Sequence, residues 1–398
     1  MMLPDIKALS ARILPEVVRI RRHLHQHPEL SFQEYATSDY IKSQLDEIGV
    51  AWRPIAGTGV LATIEGESPA SNAVALRADI DALPIQEMNP VEYASKNPGV
   101  MHACGHDFHT SSLLGTAMIL HQLRSKFKGT VKLFFQPGEE VLPGGATLMI
   151  EEGALRDPAP IAVIGQHAMP RMPVGKIGIR PGKSMASMDA LSLRIIGKGG
   201  HGAEPDTLVD PVVIASHIIV ALQQIVSRMA SPKEPSVLSF GKVIANGAFN
   251  VIPDEVYLEG TFRTLNESWR ERALGLIENM AKEIASGMGA TCDVRVGRGY
   301  PCLVNEEKLT ASVRNDVIEY LGEENIVDAD IWMASEDFAY YSQVADSCFY
   351  FCGVANKEKG IGSALHTPTF DIDEEALAIS MGLMAYVAVK RLGGSIEY

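Results

Sequence analysis

Apolar side chains recur three and four apart from Ile6 through Leu9, Ile13, Val17, Ile20 and Leu24, and that period predicts an amphipathic helix over 5–25, stopped by Pro28. A second helix is predicted over 38–49, with Gly49 just past its end. Beyond it the helical period gives way to short apolar runs at 59–65, 72–78, 130–136 and 161–165, bounded by turn residues and too short for helices. Helical patterns at 110–123 and 146–152 lie between them. Apolar strands alternating with helices predict an α/β fold, with a mixed, mostly parallel sheet and helices on both faces.

From Gly182 the pattern changes. A strand at 190–196, a helix at 212–229, strands at 237–244 and 255–263, a helix at 267–284 and a strand at 292–296 give the order β-α-β-β-α-β. That is the ferredoxin-like α+β split unit. The chain therefore reads as a first domain over 1–182, an inserted domain over 183–297, and a return to the first domain over 298–398, where 349–353 supplies another strand. No internal repeat is visible.

Composition narrows the function by exclusion. With 46% hydrophobic and 21% charged residues, the chain has the make-up of a globular enzyme. A formal net charge of -14 without a basic cluster argues against nucleic acid and against an anionic membrane surface. The first twenty residues lack the apolar core and cleavage site of a secretory signal. No uninterrupted run of about 18 apolar residues predicts a membrane span. The five cysteines, Cys104, Cys292, Cys302, Cys348 and Cys352, do not form a disulfide framework and suit a reducing cytoplasm.

The chemistry gathers where the strands stop. In open α/β sheets ligands bind beyond the carboxyl ends of the strands, and the first polar side chains there are Asp79, Glu139, Glu140 and His167. Cys104 and His106 form a Cys-x-His clip, with Gly105 between them to let the backbone bend. Its other reading is a polar turn before a helix that starts near His109. Adding His366 gives five S, N and O ligands, more than one tetrahedral ion needs. Such a set suits two divalent ions about 3.5–4 Å apart, bridged by water. Of the pair after Pro137-Gly138, one carboxylate can bind metal while its neighbour acts as base. His23, His25 and His27 alternate along a helix that turns 100° per residue, which predicts supporting roles on separate faces. Residues 197–202 match G-x-G-x-x-G, but Pro205 and Pro211 delay the helix a dinucleotide site needs. There is no G-x-S-x-G, and a catalytic thiol at Cys104 paired with His106 or His167 is the remaining nucleophile reading.

These motifs, RRHLHQHPELSFQE, RADIDALPIQE, MHACGHDFHT, FFQPGEE, GKGGHGAEPD, NVIPDEVYLEGTFRT and LHTPTFDID, resemble the M20 metallopeptidase and amidohydrolase superfamily along nearly the whole chain. They are most similar to its aminoacylase-like subgroup, which includes hippurate hydrolases and indole-acetyl-amino-acid hydrolases. The resemblance implies a metal-dependent hydrolase of N-acyl amino acids. A dipeptidase is the alternative, and a non-catalytic metal-stabilised binding module a third. It implies two divalent ions of zinc, manganese, cobalt or nickel, held by Cys104, His106, Glu140, His167 and His366. Glu139 is then the general base, and Asp79 an orienting residue of the catalytic site. It also implies that the inserted domain is a lid that commonly mediates homodimerisation. His201 there would act on the oxyanion, with Asn250 and Arg263 contacting substrate. Two departures stand out. Most of the superfamily has His-x-Asp where this chain has Arg77-Ala78-Asp79, and a bridging aspartate near the place of Cys104.

Overall fold

A computed structural model describes residues 2–70 and 72–393. Its contacts divide into two compact units. Unit 1 comprises Met1–Gly182, Val304–Asp330 and Asp337–Tyr398, and unit 2 comprises Lys183–Leu303 and Ile331–Glu336.

Unit 1 is organised on an eight-stranded sheet in the order Ala51–Ile55, Gly59–Glu65, Thr130–Gln136, Ala73–Asp79, Ala162–Pro173, Ser347–Ala355, Ile177–Ile179, Ile326–Asp328. The four middle strands run parallel, and the first two strands and the Ser347–Ala355/Ile177–Ile179 pair are antiparallel. Ala73–Asp79 and Thr130–Gln136 are buried at every position, as strands covered on both faces must be. Val131, Leu133 and Phe135 join the main core with helices Leu3–Gln26, His106–Gln122 and Ala376–Gly393. Phe134, pointing the other way, meets Tyr341 on the short helix Ala339–Ser342.

Two expectations need correction because pairing and capping lie outside the local pattern. The strand expected to stop at 165 continues to Pro173, because Ser347–Ala355 pairs alongside it in parallel and sets Phe351 opposite His167. His167 is therefore inside a strand, not beyond its end. The helix expected from 110 begins at His106, after Gly105 in a left-handed conformation at φ 89°. Two helical segments, Pro211–Met229 and Ala376–Gly393, are long and apolar enough to cross a membrane by length and composition, although neither is an uninterrupted apolar run. The second is a mostly buried core helix, whereas the first is mostly exposed.

Unit 2 has an antiparallel four-stranded sheet in the order Ser236–Ile244, Glu255–Thr264, Ser187–Ile196, Thr291–Arg298, with helices Pro211–Gln224 and Glu267–Gly287 in the connections. Ser187–Ile196 alternates buried and partly exposed positions, the period of a sheet covered on one face. The Asp210 carboxylate accepts from the backbone N–H groups of Val212 and Val213, with Pro211 at the first helical turn. The Asn266 side chain caps the second helix by accepting from Trp269 N–H. The Arg270 guanidinium donates to both oxygens of Asp189 at 2.7 Å, a buried ion pair between this helix and the sheet.

Candidate metal centre

The centre forms where two parallel strands end side by side, with Asp79 opposite Gln136. The turn beyond Gln136 carries Glu139 and Glu140. Gly138 in that turn has φ 57°, and a Cβ there would lie 2.4 Å from the Phe32 ring, so the turn requires glycine. Gly105 turns the clip, and a Cβ there would press on Ala168 at 2.9 Å. His366 arrives on a loop whose backbone N–H donates to the Ala103 carbonyl at 2.8 Å, and it holds φ 59°, uncommon for a residue with a Cβ.

Cys104 is where these segments meet. Its Sγ lies 3.4 Å from His167 Nε2 and 3.3 Å from His366 Nε2. His366 Nε2 is 3.2 Å from Glu140 Oε1, and His106 Nε2 is 4.0 Å from the same oxygen. Ligand atoms fall within 4.8 Å of one another in the groups Cys104–His106–His167, Cys104–Glu140–His366 and His106–Glu139–Glu140. The five expected ligands and Glu139 are thus brought together. Asp79 joins through His106 Nε2 at 3.7 Å from its Oδ2, and through His109.

The hydrogen bonds orient the imidazoles. His167 Nδ1–H donates to the Ala168 carbonyl at 2.7 Å, which turns the Nε2 lone pair toward Cys104. His106 Nδ1–H donates to the Asp81 carbonyl at 2.9 Å and to its carboxylate at 3.1 Å. His106 Nε2 is buried without a hydrogen-bond partner, an arrangement that asks for an electrophile there. His109 uses both nitrogens elsewhere, donating to Asp79 Oδ1 at 2.6 Å and accepting from Ala168 N–H at 2.8 Å. It is a support rather than a ligand.

Electrostatics point the same way. Burial, together with Glu140, Glu139 and Asp79, pushes the Cys104 thiol well above its ordinary range, so a thiolate needs added positive charge. Burial pulls His106 down, but Asp79, Asp81 and Glu140 win and raise it to about 10. Burial and the neighbouring His109 hold His167 well below its usual value, hence neutral. One soft thiol, three imidazoles and a carboxylate, in a cluster short of positive charge, fit divalent metal.

Below the ligands lies a buried ionic layer. Arg77 reaches Asp79 Oδ2 and Asp337 Oδ1, each at 2.6 Å, and its Nε donates to Gln136 at 3.0 Å. The Gln136 amide also donates to Asp337, which accepts from Ala146 N–H at 3.0 Å as well. Burial raises Asp337 to about 6, against the pull of Arg77. Burial also works against ionised Asp79, yet Arg77, His106 and His109 hold it well below the carboxylate range. Arg77 thus places a fixed cation behind Asp79. The sequence pattern had assigned no role in the site to Arg77, Asp81 or His109. The signals were there: alternate residues 77, 79 and 81 follow a strand's period, and His109 sits three after His106 on one helix.

The histidines of the first helix need a correction. His23 and His27, four residues apart, do share a face, with ring centroids 4.5 Å apart and Tyr40 stacked on His23. His25 is buried instead, between Asp107 at 2.8 Å and Glu87 at 3.0 Å. Arg21 reaches the same Asp107 oxygen at 2.7 Å. This layer anchors the clip helix from behind.

The other three expected site residues lie in unit 2. His201 is exposed on a two-stranded ribbon, Gly200–His201 with Val251–Ile252, and its Nδ1 accepts from Ala203 N–H at 3.1 Å. Asn250 is exposed beside it, its carbonyl accepting from Gly202 N–H at 2.9 Å. Arg263 lies apart from this ribbon on strand Glu255–Thr264, half-buried, donating to the Met333 carbonyl at 3.0 Å. Burial lowers its pKa, and among the described residues no carboxylate pairs with it. The glycine-rich stretch 197–202 opens no helix, since only a short turn, Pro205–Thr207, precedes Pro211.

Residues 75–390 match peptidase family M20/M25/M40. N-acetyl-L-cysteine deacetylase of Bacillus subtilis is 42% identical over 383 residues, covering 96% of this chain and 89% of the relative. N-acyl-L-amino acid amidohydrolase of Geobacillus stearothermophilus is 45% identical over 306 residues, covering 76% and 82%. The crystal structure of a dinuclear metal-binding peptidase of the M20 family from Bacillus subtilis superposes with a TM-score of 0.82 at 37% identity, covering 97% of this chain and 99% of that one.

Proposed function

This chain belongs to peptidase family M20/M25/M40, and on that footing we propose that it is a metal-dependent amidohydrolase cleaving N-acyl-L-amino acids to a carboxylic acid and an amino acid. One observation carries the reading: two ligand groups share the Cys104 sulfur, with the Glu139 carboxylate beside them.

Two divalent ions held by Cys104, His106, His167, Glu140 and His366 would polarise the amide carbonyl and lower the pKa of a water. Cys104 is common to both groups, so its sulfur would be available to ions held by either set. Thiolate favours zinc, whereas imidazole and carboxylate also accept manganese, cobalt or nickel. The Glu139 carboxylate takes the water's proton and delivers it to the departing amine nitrogen. Asp337 N–H, 3.4 Å from Glu139 Oε1, steadies that carboxylate, and Asp79 orients the histidines around it. His201 donates to the oxyanion as the carbonyl becomes tetrahedral. Arg263, with no carboxylate paired to it among the described residues, pairs with that of the substrate, and Asn250 supplies a further polar contact.

Residues 183–297 act as the lid, inserted between 1–182 and 298–398, and as the homodimer contact. The support is apolar exposure: Val220 is 73% exposed on helix Pro211–Gln224 alongside Val212 and Val213, and Phe249 is fully exposed next to Asn250. The five free cysteines suit a reducing cytoplasm.

Hydrolysis of N-acetyl amino acids, N-benzoyl amino acids and unblocked dipeptides, with zinc, manganese, cobalt or nickel and with or without chelator, tests the activity. Chelator-sensitive release of amino acid from the N-acyl panel is expected. Turnover confined to unblocked dipeptides, or none with any metal, refutes the proposal. Cys104→Ser should bind fewer than two ions, and unchanged stoichiometry overturns the ligand set.

A further inference from the structure

We propose that a cleft on unit 1, separate from the metal centre, is a second binding site for a small organic anion that carries a carboxylate or a phosphate. The cleft is about 530 Å³ and lies where strands Ala51–Ile55, Gly59–Glu65 and Thr130–Gln136 meet the chain just past helix Gly145–Glu151. Arg53 is paired opposite Leu61, and Lys132 opposite Thr63, so strand alternation sets all four side chains on one face of the sheet. It is the face that carries Phe134, turned away from the main core. Arg156 lines the cleft from the far side. Lys132 sits four residues before Gln136, about 13 Å from the strand end that carries the centre.

Three cations line this cleft in a chain of formal net charge -14. Among the described residues no carboxylate forms an ion pair with Lys132, Arg53 or Arg156. Lys132 is buried within its strand, 2% exposed. Its ammonium donates to the Arg156 carbonyl at 2.6 Å and to the Pro158 carbonyl at 3.2 Å. An ammonium has three N–H groups, and neutral carbonyls supply no opposing charge. Burial and the nearby Arg53 pull Lys132 down to about 8, and Asp157 offsets them only in part. A buried cation without a counter-ion is costly, and an anion in the cleft relieves both the burial and the repulsion from Arg53. Arg53 meets the carbonyls of Pro54 and Glu152 at 3.4 and 3.5 Å, which leaves guanidinium donors for a ligand. Glu152 and Asp157 also line the cleft, so three cations against two acids leave one positive charge. The Glu152 carboxylate is already engaged, accepting from Ala56 N–H at 2.9 Å. Leu61 and the Trp52 ring add apolar surface beside the cations, which an inorganic ion would leave unused. The volume is that of a small-molecule site.

The full-length, metal-loaded chain is titrated with phenyl phosphate, phenylacetate and inorganic phosphate, followed by tryptophan fluorescence and by calorimetry. Trp52 lines the cleft, whereas Trp269 and Trp332 belong to unit 2. Saturable binding of phenyl phosphate, phenylacetate or both is expected, with a change in Trp52 emission. Saturation by only one of them assigns the anionic group, phosphate or carboxylate, and upholds the site. The Kd should rise about 10-fold or more in Arg53→Gln and in Arg156→Gln, each of which loses a charge-assisted hydrogen bond. Both arginines are exposed, so both variants keep the fold. Lys132→Met should abolish binding, but it also unties residues 156–158, so the arginine variants decide. No saturable binding of either organic anion, a wild-type Kd in either arginine variant, or an emission change that survives Trp52→Phe overturns the proposal. Inorganic phosphate binding as tightly as phenyl phosphate overturns it too, because the apolar surface then contributes nothing. Anions held at the metal centre are indifferent to these substitutions, so the outcome is independent of the two-ion reading.

Discussion

Behind the metal centre, unit 1 stacks charge on charge in its interior: Arg77 with Asp79 and Asp337, and Arg21 with Asp107 and His25. Unit 2 keeps a conventional apolar core, with Arg270 and Asp189 paired between helix and sheet, and carries His201 and Asn250 in the open. Burying ions is costly unless every partner is supplied, so so many in unit 1 indicate a constellation whose geometry matters more than its stability. Exposed polar residues cost nothing to hold and are not fixed by the fold. They gain a chemical role only when another molecule or segment lies against them. One unit is built in advance, and the other presents parts.

That contrast can be broken at four points. Glu139→Gln should lower kcat by about 10²–10⁴ while ion content stays at the wild-type value, since it removes a proton acceptor and no ligand. Retained turnover would remove Glu139 from the chemistry. His201→Ala should cost about 10²–10³ in kcat, the range for losing one oxyanion donor. It should leave melting of the metal-free chain unchanged, because the residue is exposed. A large fall in melting temperature would make His201 structural and erase the contrast.

Arg21→Met tests the prebuilt side. Removing one partner from a buried ion pair costs about 3–5 kcal/mol, read as a lower urea midpoint at pH 7. The sign of its pH dependence follows from Asp107. Burial opposes its ionisation, but Arg21 and His25 prevail and hold its pKa well below the carboxylate range. A lowered folded-state pKa stabilises above the unfolded value of about 3.9 and is lost as pH falls. The difference between variant and wild type should therefore shrink on acidification, and a constant difference refutes the assignment. Arg263→Met should have the smallest effect, raising KM about 10-fold or more with kcat little changed, as expected for one lost charge-assisted hydrogen bond. An unchanged KM for N-acyl amino acids would exclude it as the carboxylate anchor.

Much of this molecule was legible along the chain. The helix around Val17 and Leu24 and the run at 130–136 needed only side-chain period, because each buries one stripe or both faces of a regular element. Cys104, His106, Glu139 and Glu140 were legible because metal ligands of fixed chemistry crowd into short stretches beside turn glycines. His23 and His27 were wrongly set on separate faces, although a spacing of four brings them together, whereas the burial of His25 was decided by packing. The continuation of the 162–173 strand through His167 was not legible, since its partner lies some 180 residues further on.

The order of residues along the chain specifies an inventory: which elements form, where glycine must turn the backbone, and which side chains can hold a cation. What tertiary structure alone decided is their division of labour. His106 and His109 are both imidazoles on one helical turn, yet one offers a bare nitrogen to the centre and the other spends both on Asp79 and Ala168. A residue's type fixes the donors and acceptors it owns. Only the packed neighbours determine which of them are already engaged and which are left for chemistry.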